Sequence, residues 1–205
     1  MTMARDTIQP DAGADSDEAL LARYGAGDAQ AARLLVARLA PRIAAYAGRL
    51  LGDDRAEAED VAQEALLRLW RAAPGWREGE AKVTTWLYRV VTNLATDRLR
   101  ARRRRRPGPA LEDVPEPEDA APGVVARLVQ ADRMAALELA LQKLPDRQRE
   151  AVVLRHLEGL SNPEIAEVMG VGVEAVESLT ARGKRALALA LQGQRGAIGY
   201  EGDAP

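Results

Sequence analysis

The chain has 205 residues, a formal net charge of −2, one histidine and no cysteine. That length accommodates one or two small domains with their own cores, and the missing thiols exclude disulfides, thiolate nucleophiles and cysteine metal ligands. No run of about 18 apolar residues exists, so no transmembrane helix is expected. Met1–Asp15 is polar with three aspartates and lacks the basic start and apolar stretch of a secretory signal, so a cytoplasmic protein is the expectation. Alanine, leucine, arginine and glutamate dominate and phenylalanine is absent, which favours an all-α fold.

Residues 1–15 read as disordered. Ser16 can cap a first helix over Asp17–Tyr24, ended by Gly25 and Gly27. Asp28 opens a longer pattern in which Ala32, Leu35, Val36, Leu39, Ile43, Tyr46 and Leu50 recur at helical spacing up to Gly52. Pro41 should bend or divide that helix. A third helix is predicted from Asp54 to Ala73, ending before Pro74-Gly75. A loop from Trp76 to Val83 then leads into a fourth helix starting at Thr84. Further helices are predicted over residues 124–143, 146–158, 163–169 and 173–192, followed by a glycine-rich, mobile tail at 193–205.

The near-neutral total conceals segregation. Asp97–Arg106 carries seven arginines against one aspartate, whereas Pro107–Gly123 holds five acidic residues, five prolines and no basic residue. A basic helix end followed by an acidic, proline-rich tether marks a domain boundary. The predicted architecture is therefore all-α: two small helical domains, residues 16–106 and 127–192, joined by a flexible linker over 107–126. Five adjacent arginines, Arg102–Arg106, repel one another unless a polyanion screens them.

On the third helix Ala58, Val61, Ala62, Ala65, Leu69 and Trp70 form an apolar side for the core. Asp60, Gln63, Glu64, Leu67 and Arg71 share another face, which reads either as a protein-binding surface or as a solvated face with one stray leucine. On the fourth helix, at about 100° per residue, Leu87, Val90, Val91 and Leu94 point inward. Trp86, Arg89, Asn93, Thr96 and Arg100 lie on a displaced stripe, joined by Trp76, Arg77 and Lys82 from the loop. Arginines attract phosphate, amides reach base edges and aromatics stack on unpaired bases, so the stripe is a candidate nucleic-acid surface. The ordinary alternative is a solvent-facing charge run with Trp86 packed.

Residues 160–179 read as a helix-turn-helix. Ser161, Pro163 and Glu164 form a start signal with a capping box, Ala166 is small where helices cross, and Gly170 suits a tight turn. Val173, Val176, Thr180, Gly183 and Leu187 make an inner stripe, and Glu174, Ser178, Ala181, Arg182 and Arg185 the opposite face. The second helix of such a motif enters the DNA major groove.

Taken together, the chain resembles a bacterial RNA polymerase sigma factor of the sigma-70 family, extracytoplasmic-function (ECF) group. Asp60-Val-Ala-Gln-Glu-Ala-Leu66 resembles the family's polymerase-binding segment, and Trp86-Leu-Tyr-Arg-Val-Val-Thr-Asn93 its −10-recognition helix. Leu144-Pro-Asp-Arg-Gln-Arg149 and the helix-turn-helix resemble its −35-recognition domain. The resemblance implies that Asp60, Gln63, Glu64, Leu67 and Arg71 meet the β′ clamp helices of core RNA polymerase. It implies that Trp76, Arg77, Lys82, Trp86, Arg89, Asn93, Thr96 and Arg100 take the melted −10 element. Arg149, Glu174, Glu177, Ser178, Ala181, Arg182, Lys184 and Arg185 would lie at the −35 duplex. Met134, Leu137, Leu141 and Leu144 would hold the β flap tip, and an anti-sigma factor would hold the chain inactive.

Three departures bear on this. Leu66 stands where an aromatic is usual, Glu177 where a basic residue is common, and Ala181 where a larger side chain is common. A carboxylate at Glu177 can accept a hydrogen bond from cytosine N4 or repel phosphate. No cofactor or metal is implied. Catalysis has little to build on: His156 reads as structural, and Glu64, Glu78 and Glu80 are not spaced as a metal box. The rival readings are a stand-alone helix-turn-helix regulator, which would need to dimerise over two half-sites, and a sigma-like decoy for an anti-sigma factor.

Overall fold

The structure, a computed structural model, describes residues 16–52, 54–77, 82–105 and 125–195. The expectations for residues 1–15, for the tether up to 124 and for the tail beyond 195 fall outside them, as do those for Glu78, Glu80 and Arg106. The described residues form eight α-helices and no strand. They are α1 (Asp17–Gly25), α2 (Ala29–Leu51), α3 (Arg55–Ala72), α4 (Val83–Arg105), α5 (Val125–Gln142), α6 (Asp146–His156), α7 (Asn162–Met169) and α8 (Val173–Arg195). A single 3-10 turn, Ala73–Gly75, ends α3.

Helix starts follow local chemistry. The side chains of Ser16, Asp28, Asp54 and Ser161 each accept a hydrogen bond from an otherwise unpaired backbone N–H of the first turn. At α7 the capping box is complete, because Glu164 also accepts from the Ser161 backbone. Gly170 closes α7 in the left-handed conformation, φ 63°, where a Cβ would be strained.

Of the two outcomes expected at Pro41, a bend or a division, the division does not occur. α2 runs undivided from Ala29 to Leu51 with Pro41 inside it. Leu35, Leu39, Ile43 and Tyr46 are each at most 2% exposed, so the same stripe is buried on both sides of the proline. Tertiary burial of one continuous face outweighs the backbone hydrogen bond that proline cannot make.

In the first half, α1–α4, α2 packs on α3 and α4. Val61, Ala65 and Leu69 of α3 and Leu87, Val91 and Ala95 of α4 are buried with the α2 stripe. Tyr46 and Tyr88 meet edge to face at 5.0 Å, and the Tyr46 hydroxyl is 2.7 Å from Thr92 Oγ1. α1 touches both ends of the segment between the 3-10 turn and α4. A Cβ on Gly25 would lie 3.1 Å from Ala73 O, and Val83 N–H donates to Glu18 Oε1 at 3.0 Å.

In the second half, α5–α8, Leu141, Leu144, Val152, Val153, Leu154, Ile165, Val168 and Val176 form the core. α6 and α8 cross most closely at Gly183. A Cβ there would stand 2.6 Å from Val152 Cγ2 and 2.9 Å from Gln148 O.

The halves also pack on each other, with α7 against α4 and α6 against α2. Arg149 of α6 donates to Leu50 O at 2.8 Å, and Gln142 of α5 donates to Arg49 O at 3.2 Å. Glu158, just past α6, accepts from Tyr88 and from Arg49 at 3.3 Å, with Arg42 at 4.0 Å.

Candidate nucleic-acid interface

The outer face of α8 is open. Glu174, Glu177, Ser178, Ala181, Arg182, Lys184 and Arg185 are all exposed, while Val176 and Gly183 on the inner stripe are buried. Val173, placed on the inner stripe by its spacing, is 39% exposed at the first position of α8. Glu177 is 3.4 Å from the Asn162 amide of α7. Three cations, a hydroxyl and two carboxylates thus stand on a helix that the capping box and Gly170 orient.

The α4 stripe is different. Arg89, Asn93 and Arg100 are exposed and Thr96 is half-buried. Asn93, Thr96 and Arg100 form one wall of a cleft of about 480 Å³ whose other wall carries Asp146, Arg147 and Glu150 of α6. Trp86 does not stand free: its ring meets Trp76 edge to face at 5.9 Å, and both are partly buried against the core. The Trp76 indole N–H is buried without a partner among the described residues. Arg77 is exposed. Lys82 makes a 2.7 Å ion pair with Glu164 of α7.

Within the arginine run, Arg102 binds Leu51 O, Asp54 and Glu57, and Arg103 pairs with Asp146. Internal carboxylates therefore screen part of the charge for which the sequence suggested a polyanion.

On α3, Asp60, Gln63 and Arg71 are exposed and Leu67 is 49% exposed, with Glu64 beside them. A hydrogen bond from Arg68, at 2.9 Å, is the main cause holding the Glu64 carboxyl below its ordinary value. The apolar side of this helix is buried as its spacing predicts, and Leu66 joins it at 8% exposure.

Arg149, which the resemblance sets near the −35 duplex, is buried in this structure. It is 5% exposed, bonded to Leu50 O, Gln142 Oε1 and Asp146 Oδ1, and burial pulls its pKa down. Leu144 belongs to the core, at 4% exposure. Leu137 and Leu141 line an apolar cleft of about 210 Å³ with Val152, Leu157 and Leu187. His156, expected in a structural place, is exposed at the end of α6 and borders that cleft. Sequence reasoning missed Glu158, Gln142 and Arg49, whose partners are distant in sequence.

The profile of Sigma-70 region 2 matches residues 35–105, and that of Sigma-70 region 4 matches residues 134–187. The RNA polymerase sigma-H factor of Pseudomonas aeruginosa is 35% identical over 192 residues, covering 87% of this chain and 95% of that protein. The ECF RNA polymerase sigma factor SigM of Mycobacterium tuberculosis is 36% identical over 173 residues, covering 84% of this chain and 83% of that protein. The chain belongs to the ECF group of the sigma-70 family.

It is thus a sigma factor: a transcription-initiation subunit that binds core RNA polymerase and directs it to promoters. Among solved structures it is similar to CnrH, in complex with the cytosolic domain of CnrY. That likeness has 29% identity and TM-score 0.61, covering 87% of this chain and 99% of that one. The fold is also that of RpoE from Bartonella quintana, in complex with the anti-sigma factor NepR. There the identity is 22% and the TM-score 0.62, covering 78% and 96% of the two chains. Among the described residues no helix is long and apolar enough to cross a membrane.

Proposed function

We propose that this sigma factor works in the cytoplasm as a specificity subunit without chemistry of its own, through three surfaces. Asp60, Gln63, Glu64, Leu67 and Arg71 meet the β′ clamp helices, with Leu67 as the apolar contact among polar ones. The α8 face reads the −35 duplex through the major groove: Ser178, Arg182, Lys184 and Arg185 supply donors to bases and phosphates, and Glu177 accepts from cytosine N4. Trp76, Arg77, Lys82, Trp86, Arg89, Asn93, Thr96 and Arg100 hold the unpaired −10 strand, favouring melting because they bind the open form. Residues 16–106 and 127–192 act as the two promoter-reading units, with 107–126 as the tether between them.

The apolar cleft at Leu137, Leu141 and Leu187 takes the tip of the β flap. An anti-sigma factor competes for these surfaces, as the complexes of similar proteins suggest. With no cysteine in the chain, thiol-based redox sensing falls to that partner.

The observation that carries this reading is the pairing, in one chain, of an exposed polar face on α8 with a second polar stripe on α4. A repressor that reads only duplex has no use for the second stripe. The test is transcription from genomic DNA by purified core polymerase with the full chain, followed by mapping of the start sites. Starts that appear only with the chain, and share two spaced elements, are the expected result. No start, with no association between chain and polymerase, overturns it.

A further inference from the structure

The outer face of α8 carries two carboxylates, and their surroundings differ. Glu174 takes no hydrogen bond or ion pair from a side chain among the described residues, whereas Glu177 Oε1 accepts from Asn162 Nδ2 at 3.4 Å. Asn162 is the first residue of α7, directly after the Ser161 cap, and so belongs to the other helix of the motif. The core beneath fixes its place relative to Glu177: Ile165, Val168 and Met169 of α7 and Val176 of α8 are buried, and Gly170 ends α7 ahead of α8. Both groups stand outside that core, Asn162 half-buried and Glu177 exposed. The neighbouring Arg182 is tied within its own helix instead, its Nε donating to Ser178 O at 3.2 Å.

A carboxylate on a DNA-facing helix meets two obstacles. Phosphates repel it, and fixing its rotatable bonds costs side-chain entropy. An amide on the adjacent helix reduces both, because its N–H offsets part of the charge and holds one oxygen, leaving Oε2 for a donor on the DNA. At 3.4 Å the contact exceeds the usual limit of about 3.2 Å, so it guides the carboxylate and still lets it close on a base edge. In the major groove cytosine offers the N4 amino donor; thymine offers the O4 acceptor, which a carboxylate repels.

We infer that Asn162 is a positioning residue for −35 recognition: its amide aims Glu177 so that the second carboxylate oxygen selects cytosine over thymine at one base pair. This rests on the proposed reading of the −35 duplex by α8. Asn162 acts through Glu177, 15 positions away, and the motif thereby draws base specificity from a residue outside its recognition helix.

The open face of α8 lets the test use the full chain without polymerase. The immobilised chain selects from a pool of randomised duplexes, and sequencing of the retained fraction gives the base preference at each position. The parent should show a position at which cytosine is preferred over thymine. Glu177→Gln should move the preference there to adenine, which a side-chain amide reads in bidentate fashion, and so marks the position. Asn162→Ala should lower the cytosine-over-thymine ratio there about threefold, with the other positions unchanged. On a Glu177→Ala background the same change should do nothing at that position.

Asn162→Asp discriminates most sharply. It keeps the shape of asparagine and puts an acidic group in the first turn of α7, where the helix dipole favours one. A purely structural role therefore predicts equal or higher thermal stability and an unchanged base preference. The positioning role predicts the same stability with a larger loss of the cytosine preference than Asn162→Ala causes, because the two carboxylates repel. An undiminished preference in both Asn162 variants overturns the inference. So does a loss spread evenly over all positions, or a parent pool with no cytosine-preferring position. With polymerase absent, a failure to initiate transcription strikes the proposed function and not this pairing.

Discussion

Helices α4 and α8 are both 23 residues long and both carry a polar stripe beside an apolar one, yet the fold treats the stripes in opposite ways. On α8 the outward residues project into solvent, and the inward ones fit the core so tightly that only glycine is admitted at position 183. Along α4 the stripe borders a cleft, and its flanking cations Lys82 and Arg103 are taken by carboxylates from the other half. Similar patterns of residue types therefore do not confer similar availability. Availability is set by what the rest of the chain brings opposite, and here that is decided by pairs such as Lys82–Glu164 that lie far apart in sequence.

The largest expected effect breaks the α8 side of the comparison. Gly183→Leu should destabilise the second half by about 3 kcal/mol, because Val152 and the Gln148 carbonyl leave no room for the side chain. Thermal unfolding should show this, and an unchanged melting temperature would contradict the close crossing. Next, Arg149→Ala and Arg182→Ala should separate structure from recognition. The first removes charged hydrogen bonds to Leu50 O, Gln142 and Asp146 and should cost about 2 kcal/mol in urea unfolding. The second should leave stability within about 0.5 kcal/mol while weakening −35 duplex binding about tenfold. The reverse pattern would mean that Arg149 leaves its buried place to contact DNA.

Ser161→Ala should cost about 1 kcal/mol by leaving first-turn N–H groups of α7 unsatisfied, again read by urea unfolding. The smallest effect is a pH dependence. Hydrogen bonds from Lys82, then from Ser161, hold the Glu164 carboxyl down from the ordinary 4.5 to about 2. A carboxylate lowered in the folded chain stabilises the fold above its free value, and that contribution is lost as pH falls from about 4.5 to about 2. Glu150 runs the other way: burial raises its pKa against the lowering effect of Arg147, so its contribution fades as pH rises. Urea unfolding followed down an acid titration should show this loss of the Glu164 contribution for the parent chain. Glu164→Gln should flatten that limb.

Much of the fold was legible because its signals are local. The caps at Ser16, Asp28, Asp54 and Ser161, the glycine at 170 and the buried stripes of α3 and α8 each depend on residues within a few positions of one another. Pro41 left a bend and a division both open, and burial along the whole of α2 keeps the helix undivided. Arg149 illustrates a different limit. The family resemblance alone set it near the −35 duplex, and its partner Leu50 O is 99 positions away. Glu158 carries no local signal at all, since its role exists only once α2 and α4 are beside it. The polar stripes could be found from spacing; what the rest of the chain brings opposite each could not.

The short first helix has an effect out of proportion to its nine residues. Its Gly25 lies against Ala73 and its Glu18 holds the first amide of α4, so it pins both endpoints of the stretch from Pro74 to Lys82. A change in this brace would therefore shift the turn that closes α3 relative to the first residue of α4, with no substitution in either.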